Sequence, residues 1–187
     1  MYSENKLNMK KIIIPLIIAL IAAAGCRKSE TSAFTGSYSF KTGGYLEISG
    51  TAYELVKDDS GNIVPVPHDT SFKRNVAAES GQMHILDNSG DKVKLTLNIT
   101  GGGPVVFDGS VNDGVLTLSP SERAITVIPD ISLSEQDIRL LVSARASGRK
   151  FDNTIILDFV YEGQYRNGYI EGTISKSNIN CVAVRNE

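Results

Sequence analysis

The sequence predicts an all-β domain, an antiparallel meandering β-barrel with at most one short helix. Two observations indicate this class. Apolar and polar residues alternate in several segments, as in residues 92–100, where Val93, Leu95 and Leu97 alternate with lysine, threonine and asparagine. Alternation with a period of two is typical of strands that bury one face. Glycine-containing turn signals separate these segments, as expected of consecutive hairpins.

The turn signals also indicate how the strands are connected. Consecutive hairpins favour a barrel over a two-sheet β-sandwich, the alternative, because Greek-key crossovers need longer connections. The signals lie at Gly43-Gly44, Ser60-Gly61-Asn62, Ser89-Gly90-Asp91, Gly101-Gly102-Gly103, Asp113-Gly114 and Asn167-Gly168. The last two of these predict type I′ turns, in which both central residues have positive φ.

Two hairpin sequences resemble each other. Residues 107–114 and 161–168 share the order aromatic, acid, Gly, polar, apolar, polar, Asp or Asn, Gly. A glycine inside a strand often marks a bulge or a bend, so Gly109 and Gly163 are expected to mark such places in a curved sheet.

The sequence of residues 134–146 is compatible with either a helix or a strand. Ser134 and Asp137 resemble a capping box, and Ile138, Leu141 and Val142 recur at helical spacing. A strand that buries alternate residues from Ile138 fits the same segment. The capping signal favours the helix.

The N-terminal residues predict export and lipidation. Lys10 and Lys11 precede a 13-residue apolar run over residues 12–24, which is too short to span a bilayer core of ~30 Å. Residues 23–26 (Ala-Ala-Gly-Cys) resemble a bacterial lipobox. We therefore expect a lipoprotein signal peptide at 1–25, lipid on Cys26, a tether over 26–33 and one barrel domain over 34–187. An ordinary secretory signal cleaved after Ala24 is the alternative.

Charge and composition narrow the function classes. The chain has a net charge of −2 and no basic block, so nothing in its electrostatics indicates a nucleic-acid partner. His68 and His84 are the only histidines, and neither has a ligand at metal spacing. We expect no metal site, no cofactor and no catalytic residues, and hence a protein that is not an enzyme. Cys181 lies in an alternating segment and is expected to be a buried apolar residue.

The opening strand carries a family resemblance. Gly36-Ser37-Tyr38 stands where lipocalins have Gly-x-Trp, and Arg185 is placed to cover the aromatic ring. With the lipobox and the glycine-punctuated hairpins, the chain resembles the lipocalin-like (calycin-like) lipoproteins of Bacteroidetes over residues 34–187. That resemblance implies a barrel cavity that holds a small apolar or amphipathic ligand.

The expected protein is a lipid-anchored lipoprotein of the cell envelope, on the outer membrane, with periplasmic or surface exposure left open. Ligand-binding residues are not assigned by the sequence. Because the anchor lies near Phe34, a ligand is expected to enter at the opposite end, beside loops 57–62 and 129–136. The alternative is an interaction module without a cavity that docks another envelope protein.

Substitution of Cys26 tests the anchor. Cys26→Ala removes the thiol that accepts the lipid, so we expect the protein to leave the membrane fraction or to accumulate unprocessed, as shown by detergent partitioning and immunoblotting. Cys181→Ala is the matched control and should stay in the membrane fraction. Normal cleavage of Cys26→Ala with unchanged detergent partitioning would contradict the assignment.

Overall fold

Almost every element of the computed structural model is an antiparallel β-strand. The structure describes residues 30–129 and 138–187. The elements are α1 (Thr31–Phe34), β1 (Gly36–Lys57), β2 (Ile63–Val76), β3 (Ser80–Asp87), β4 (Lys92–Ile99), β5 (Pro104–Asn112), β6 (Val115–Val127), β7 (Ile138–Phe151), β8 (Thr154–Glu162), β9 (Gln164–Asn167) and β10 (Ile170–Arg185).

Eight of the described strands form a closed ring. From β3 to β8 each strand pairs with the next one along the chain, β8 pairs with β10, and β10 pairs with β1, which returns to β3. The β1–β10 pairing runs from Tyr38 opposite Arg185 to Ala52 opposite Ile170. This closure confirms the antiparallel meandering barrel, and α1 is the one short helix within residues 30–129 and 138–187.

The first strand extends beyond this ring. β1 has 22 residues, and its first part pairs with β3 while its second part, Gly44 to Lys57, pairs with β2. Past Ala52 the β1–β2 hairpin has no β10 partner and continues to the turn at residues 58–62. We call residues 53–67 the ribbon, and we name the two ends of the barrel the α1 end and the ribbon end.

The α1 end is closed by its own side chains. Phe34 is buried in the core, and the Tyr38 hydroxyl donates to its carbonyl oxygen at 2.7 Å. Lys150 Nζ donates to Ala33 O at 2.6 Å, and Thr31 Oγ1 donates to Asp87 at 3.1 Å. Residues 30–33, assigned to the tether from sequence, are therefore docked on the barrel in this structure.

Alternate side chains of the strands point into the ring and fill it, as the alternation of apolar and polar residues in the sequence predicts. Val93, Leu95 and Leu97 are fully buried on β4, whereas Lys92 and Lys94 are exposed. On β8, alternate residues from Ile155 to Tyr161 point inward in the same way. Eight strands leave an interior just wide enough for side chains, and here buried apolar side chains occupy it.

The helix predicted over residues 134–146 is wrong in its described part. Residues 138–146 belong to β7, which pairs with both β6 and β8. Leu140, Val142 and Ala144 are buried at a period of two, and the hydrogen bonds of two neighbouring strands outweigh a local capping signal. Residues 134–137 lie outside the described part of the chain.

One of the two predicted type I′ turns is confirmed. Asp113 and Gly114 connect β5 to β6 and both have positive φ, 52° and 69°. The Asn167-Gly168 prediction is wrong by one residue, because Asn167 pairs with Ile170 and the central residues are Gly168 and Tyr169. Only the first of these has positive φ, as in a type II′ turn.

The turn predicted at Gly43-Gly44 is also wrong, because both glycines lie inside β1. Gly44 has a φ of 145°, and a Cβ on it would overlap the carbonyl oxygen of Asn178 on β10. Gly43 is exposed, and a Cβ there would meet nothing. Glycine is thus required at position 44 by the close approach of β10 rather than by a turn.

These neighbouring glycines provide a matched test. Gly44→Ala should lower the free energy of unfolding by about 2–3 kcal/mol, because the new Cβ strains β1 against β10. Gly43→Ala should change it by less than about 0.5 kcal/mol. Chemical denaturation measures both, and equal effects would contradict the register of the β1–β10 pair.

Candidate functional site

A side opening lies where β5 and β6 separate. These strands pair from Gly109–Asn112 to Val115–Leu118, next to their shared turn. Toward the ribbon end they diverge, and a cavity of about 620 Å³ lies between them. The Ser121 hydroxyl spans the gap and donates to the carbonyl oxygen of Val106 at 3.0 Å.

The lining of the opening combines apolar and charged groups. Apolar side chains come from the end of β4 and the start of β5, and charged groups come from three other segments. These residues are Ile99, Val105, Val106, Glu79, Glu122, Arg123 and Arg139, of which Glu122 is exposed. The glycines of loop 101–103 form the rim at the ribbon end. A ligand with both apolar and polar parts matches this surface.

A β-bulge in β6 places Arg123 inside the barrel. Leu118 is opposite Ala146 and Ser121 is opposite Ala144, so β6 has one extra residue between these pairs. The extra residue reverses which positions face inward. Before the bulge the even-numbered residues are buried, and after it Arg123, Ile125 and Val127 are buried.

Arg123 forms a buried ion pair with Glu79. Both carboxylate oxygens of Glu79 lie 2.5 Å from Nη2 of Arg123, and the arginine side chain is 1% exposed while that of Glu79 is 17% exposed. Glu79 lies between β2 and β3, where its backbone is fixed by Thr42 through bonds of 3.0 and 2.8 Å. Sequence reasoning missed this pair, because its partners are 44 residues apart.

Two titratable groups lie beside this ion pair. The guanidinium of Arg123 is 5.9 Å from the centre of the Tyr161 ring. Burial raises the pKa of Tyr161 to about 12, and the charge of Arg123 opposes that rise. Burial likewise raises the pKa of the Cys181 thiol to about 12. Cys181 is completely buried, which confirms its expected place in the core.

The contact expected between the opening strand and the end of the chain is present. The Arg185 guanidinium lies 5.7 Å from the centre of the Tyr38 ring and donates to the Thr35 carbonyl. Tyr38 is fully buried at the α1 end. The arrangement holds β1, β10 and the segment after α1 together, at the end opposite the ribbon.

The other residues considered in the sequence do not come together. Cys26, the predicted lipidation site, lies outside the described residues. His68 is exposed on β2, and His84 is 2.9 Å from the Ser37 hydroxyl. Within residues 30–129 and 138–187, no group of three or more His, Cys, Asp or Glu could hold a metal ion. None of the described helices is long and apolar enough to cross a membrane.

Of the two loops expected beside a ligand mouth, the described one lies at the expected end of the barrel but does not line the opening. The turn at residues 58–62 is at the ribbon tip, opposite Phe34, and its geometry is explained by Asp58, which accepts the N–H groups of Ser60 and Asn62 at 2.9 and 2.8 Å. These bonds lower the pKa of Asp58, that from Asn62 most. In the loop over residues 129–136, only Pro129 belongs to the described part of the chain. Loop 101–103 borders the observed opening instead.

Similarity to known proteins is confined to solved structures. No family model matches the chain, and no curated protein sequence matches it. Among solved structures, a redesigned β-barrel is similar with a TM-score of 0.34 and 14% sequence identity. The similarity covers 85% of this chain and 96% of that one.

The buried thiol makes stability depend on alkaline pH. Below pH 9 the Cys181 thiol is protonated in both the folded and the unfolded chain. As the pH rises from 9 toward 12, the unfolded chain releases a proton that the folded chain retains, so the free energy of unfolding falls. Cys181→Ala should therefore reduce this decline by about 1.4 kcal/mol per pH unit between pH 9 and 11.

Denaturant titrations across this pH range measure the difference. Tyr161→Phe should reduce the decline in the same direction, but only above pH 10, because the tyrosine pKa rises from 10.0. Parallel pH profiles for Cys181→Ala and the unsubstituted protein would show that the thiol is not buried in solution.

Proposed function

We propose that the chain is a lipid-anchored lipoprotein of the cell envelope that binds a small amphipathic ligand in the opening between β5 and β6. The observation that carries the proposal is a cavity of about 620 Å³ whose lining includes the apolar side chains of Ile99 and Val105 and the Arg123–Glu79 ion pair. Ligand sites are typically concave and combine apolar surface with a few polar groups that orient the ligand.

The packing of the ring supports this location. Buried side chains such as Phe107 and Phe159, whose rings are 5.8 Å apart, occupy the interior between the strands. The side opening offers about 620 Å³ beside these packed side chains. It also lies toward the ribbon end, away from α1, which follows the proposed anchor at Cys26 in the sequence. A ligand can therefore reach it without passing the membrane surface.

A second function is favoured by the ribbon. Leu55 and Ile63, near its tip, are 49% and 63% exposed, and Tyr53, Val56 and Val66 are exposed with them. Tyr53, Leu55 and Ile63 share one face of this two-stranded ribbon, and Val56 and Val66 share the other. Single exposed apolar residues are common, whereas several on one face are typical of contact surfaces. This group supports the alternative of an interaction module that docks another envelope protein.

An optical reporter tests ligand binding. The chain has no tryptophan, so Val106→Trp introduces a single fluorophore on the rim of the opening. In the mature full-length protein held in a non-ionic amphipol, which carries no carboxylate, titration with decanoate or decanamide should shift its emission saturably. Val182→Trp is the matched control, because Val182 is also 44% exposed but lies on β10.

The two reporters separate binding from partitioning into amphipol. Partitioning affects both reporters equally, whereas binding in the opening affects Val106→Trp alone. The same response from both reporters, or none from either, would overturn the proposal and favour the interaction module.

A further inference from the structure

Arg123 has more hydrogen-bonding capacity than its described neighbours use. A guanidinium has five N–H donors, and here only Nη2 is paired. Nε and Nη1 are buried and donate no hydrogen bond to any residue within the described ranges. A buried charge with unsatisfied donors is costly, so this arginine is suited to a further acceptor.

Glu79 does not use the guanidinium in the most favourable way. Its two oxygens both approach Nη2, whereas a paired carboxylate typically accepts two parallel bonds from two different nitrogens. A carboxylate that accepted from two nitrogens would therefore bind Arg123 more strongly than Glu79 does.

The two partners also differ in how firmly they are held. Arg123 lies within paired β6, opposite Val142, and beside the Tyr161 ring. Glu79 lies in the short connection between β2 and β3, and its side chain is the more exposed of the two. Displacement of the Glu79 side chain toward solvent would leave its backbone bonds to Thr42 intact.

We propose that the opening selects amphipathic carboxylates, and that the ligand carboxylate displaces Glu79 from Arg123. This inference rests on the proposed function and names its ligand class. The apolar part of the ligand lies against Ile99 and Val105, which form part of the same lining. Glu79 holds the charge of Arg123 in the empty protein, so the site remains folded before the ligand enters.

The comparison of decanoate with decanamide tests the charge requirement. The two have the same chain length and differ mainly in the charge of the head group. With the Val106→Trp reporter, decanoate should bind at least about tenfold more tightly, since bonds between charged groups exceed neutral ones by that order. Equal affinities would overturn the carboxylate inference while leaving ligand binding intact, and binding of neither would remove both.

Substitution of Glu79 tests the displacement. Glu79→Gln keeps an oxygen acceptor for Nη2 but removes the competing charge, so decanoate affinity should rise about tenfold while decanamide affinity stays unchanged. Asp108→Asn is the matched control, because it removes an exposed acid of β5 and should change neither affinity. An equal rise for both ligands, or the same rise in Asp108→Asn, would contradict displacement.

Substitution of Arg123 tests whether Arg123 is the group that binds the ligand carboxylate. The double variant Glu79→Gln, Arg123→Met replaces the buried pair without leaving a charge, and such replacements are often tolerated. It should bind decanoate and decanamide equally. If this variant or Glu79→Gln fails to fold, as judged by circular dichroism, the comparison of decanoate with decanamide in Val106→Trp decides the question. A retained preference for decanoate would show that another group recognises the carboxylate.

Discussion

The length and pairing of β1 govern the rest of this structure. Its 22 residues reach up to about 70 Å and pair with β10 on one side and with β3 and then β2 on the other. This shared strand closes the ring and also extends it into the ribbon. The arrangement requires close contact with β10, which a side chain at Gly44 would prevent. The close contact of the β1 and β10 backbones at Gly44 therefore supports both the barrel and its extension into the ribbon.

The same pairing explains why an opening exists beside β6. Because β2 and β3 share one edge of β1, the chain between them must cross from one strand partner to the other, and Glu79 lies in that crossing. β2 meets β6 at Val76 opposite Val127, which holds the far part of β6 away from β5. The bulge in β6 then directs Arg123 inward at the gap. The opening and its ion pair are thus consequences of topology.

The sequence predicted much of the fold and little of the site. Alternation on β4 and β8 was reliable, because burial on one face imposes a period of two whatever the partner strand. The capping signal failed over residues 138–146, where sheet hydrogen bonding outweighed it and the residues alternate as in a strand. The turn signal failed at Gly43-Gly44, where Gly44 is required by the close approach of β10. Arg123 was hidden by the change of parity after Leu118. The Ser119-Pro120 pair is the one local signal of that bulge, since proline cannot donate to a paired strand.

The docked α1 segment sets the orientation of the proposed site. Lys150, Tyr38 and Arg185 donate to the carbonyl oxygens of residues 33–35, so the chain is fixed to the barrel there. With lipid on Cys26, as proposed, three residues lie between the anchor and Glu30, and the four steps from Cys26 to Glu30 reach at most about 14 Å. The α1 end is then held at the membrane, and both the opening and the ribbon are directed away from it. A long tether would allow any orientation, whereas this short one keeps the Arg123 opening accessible to ligands that arrive from the aqueous side.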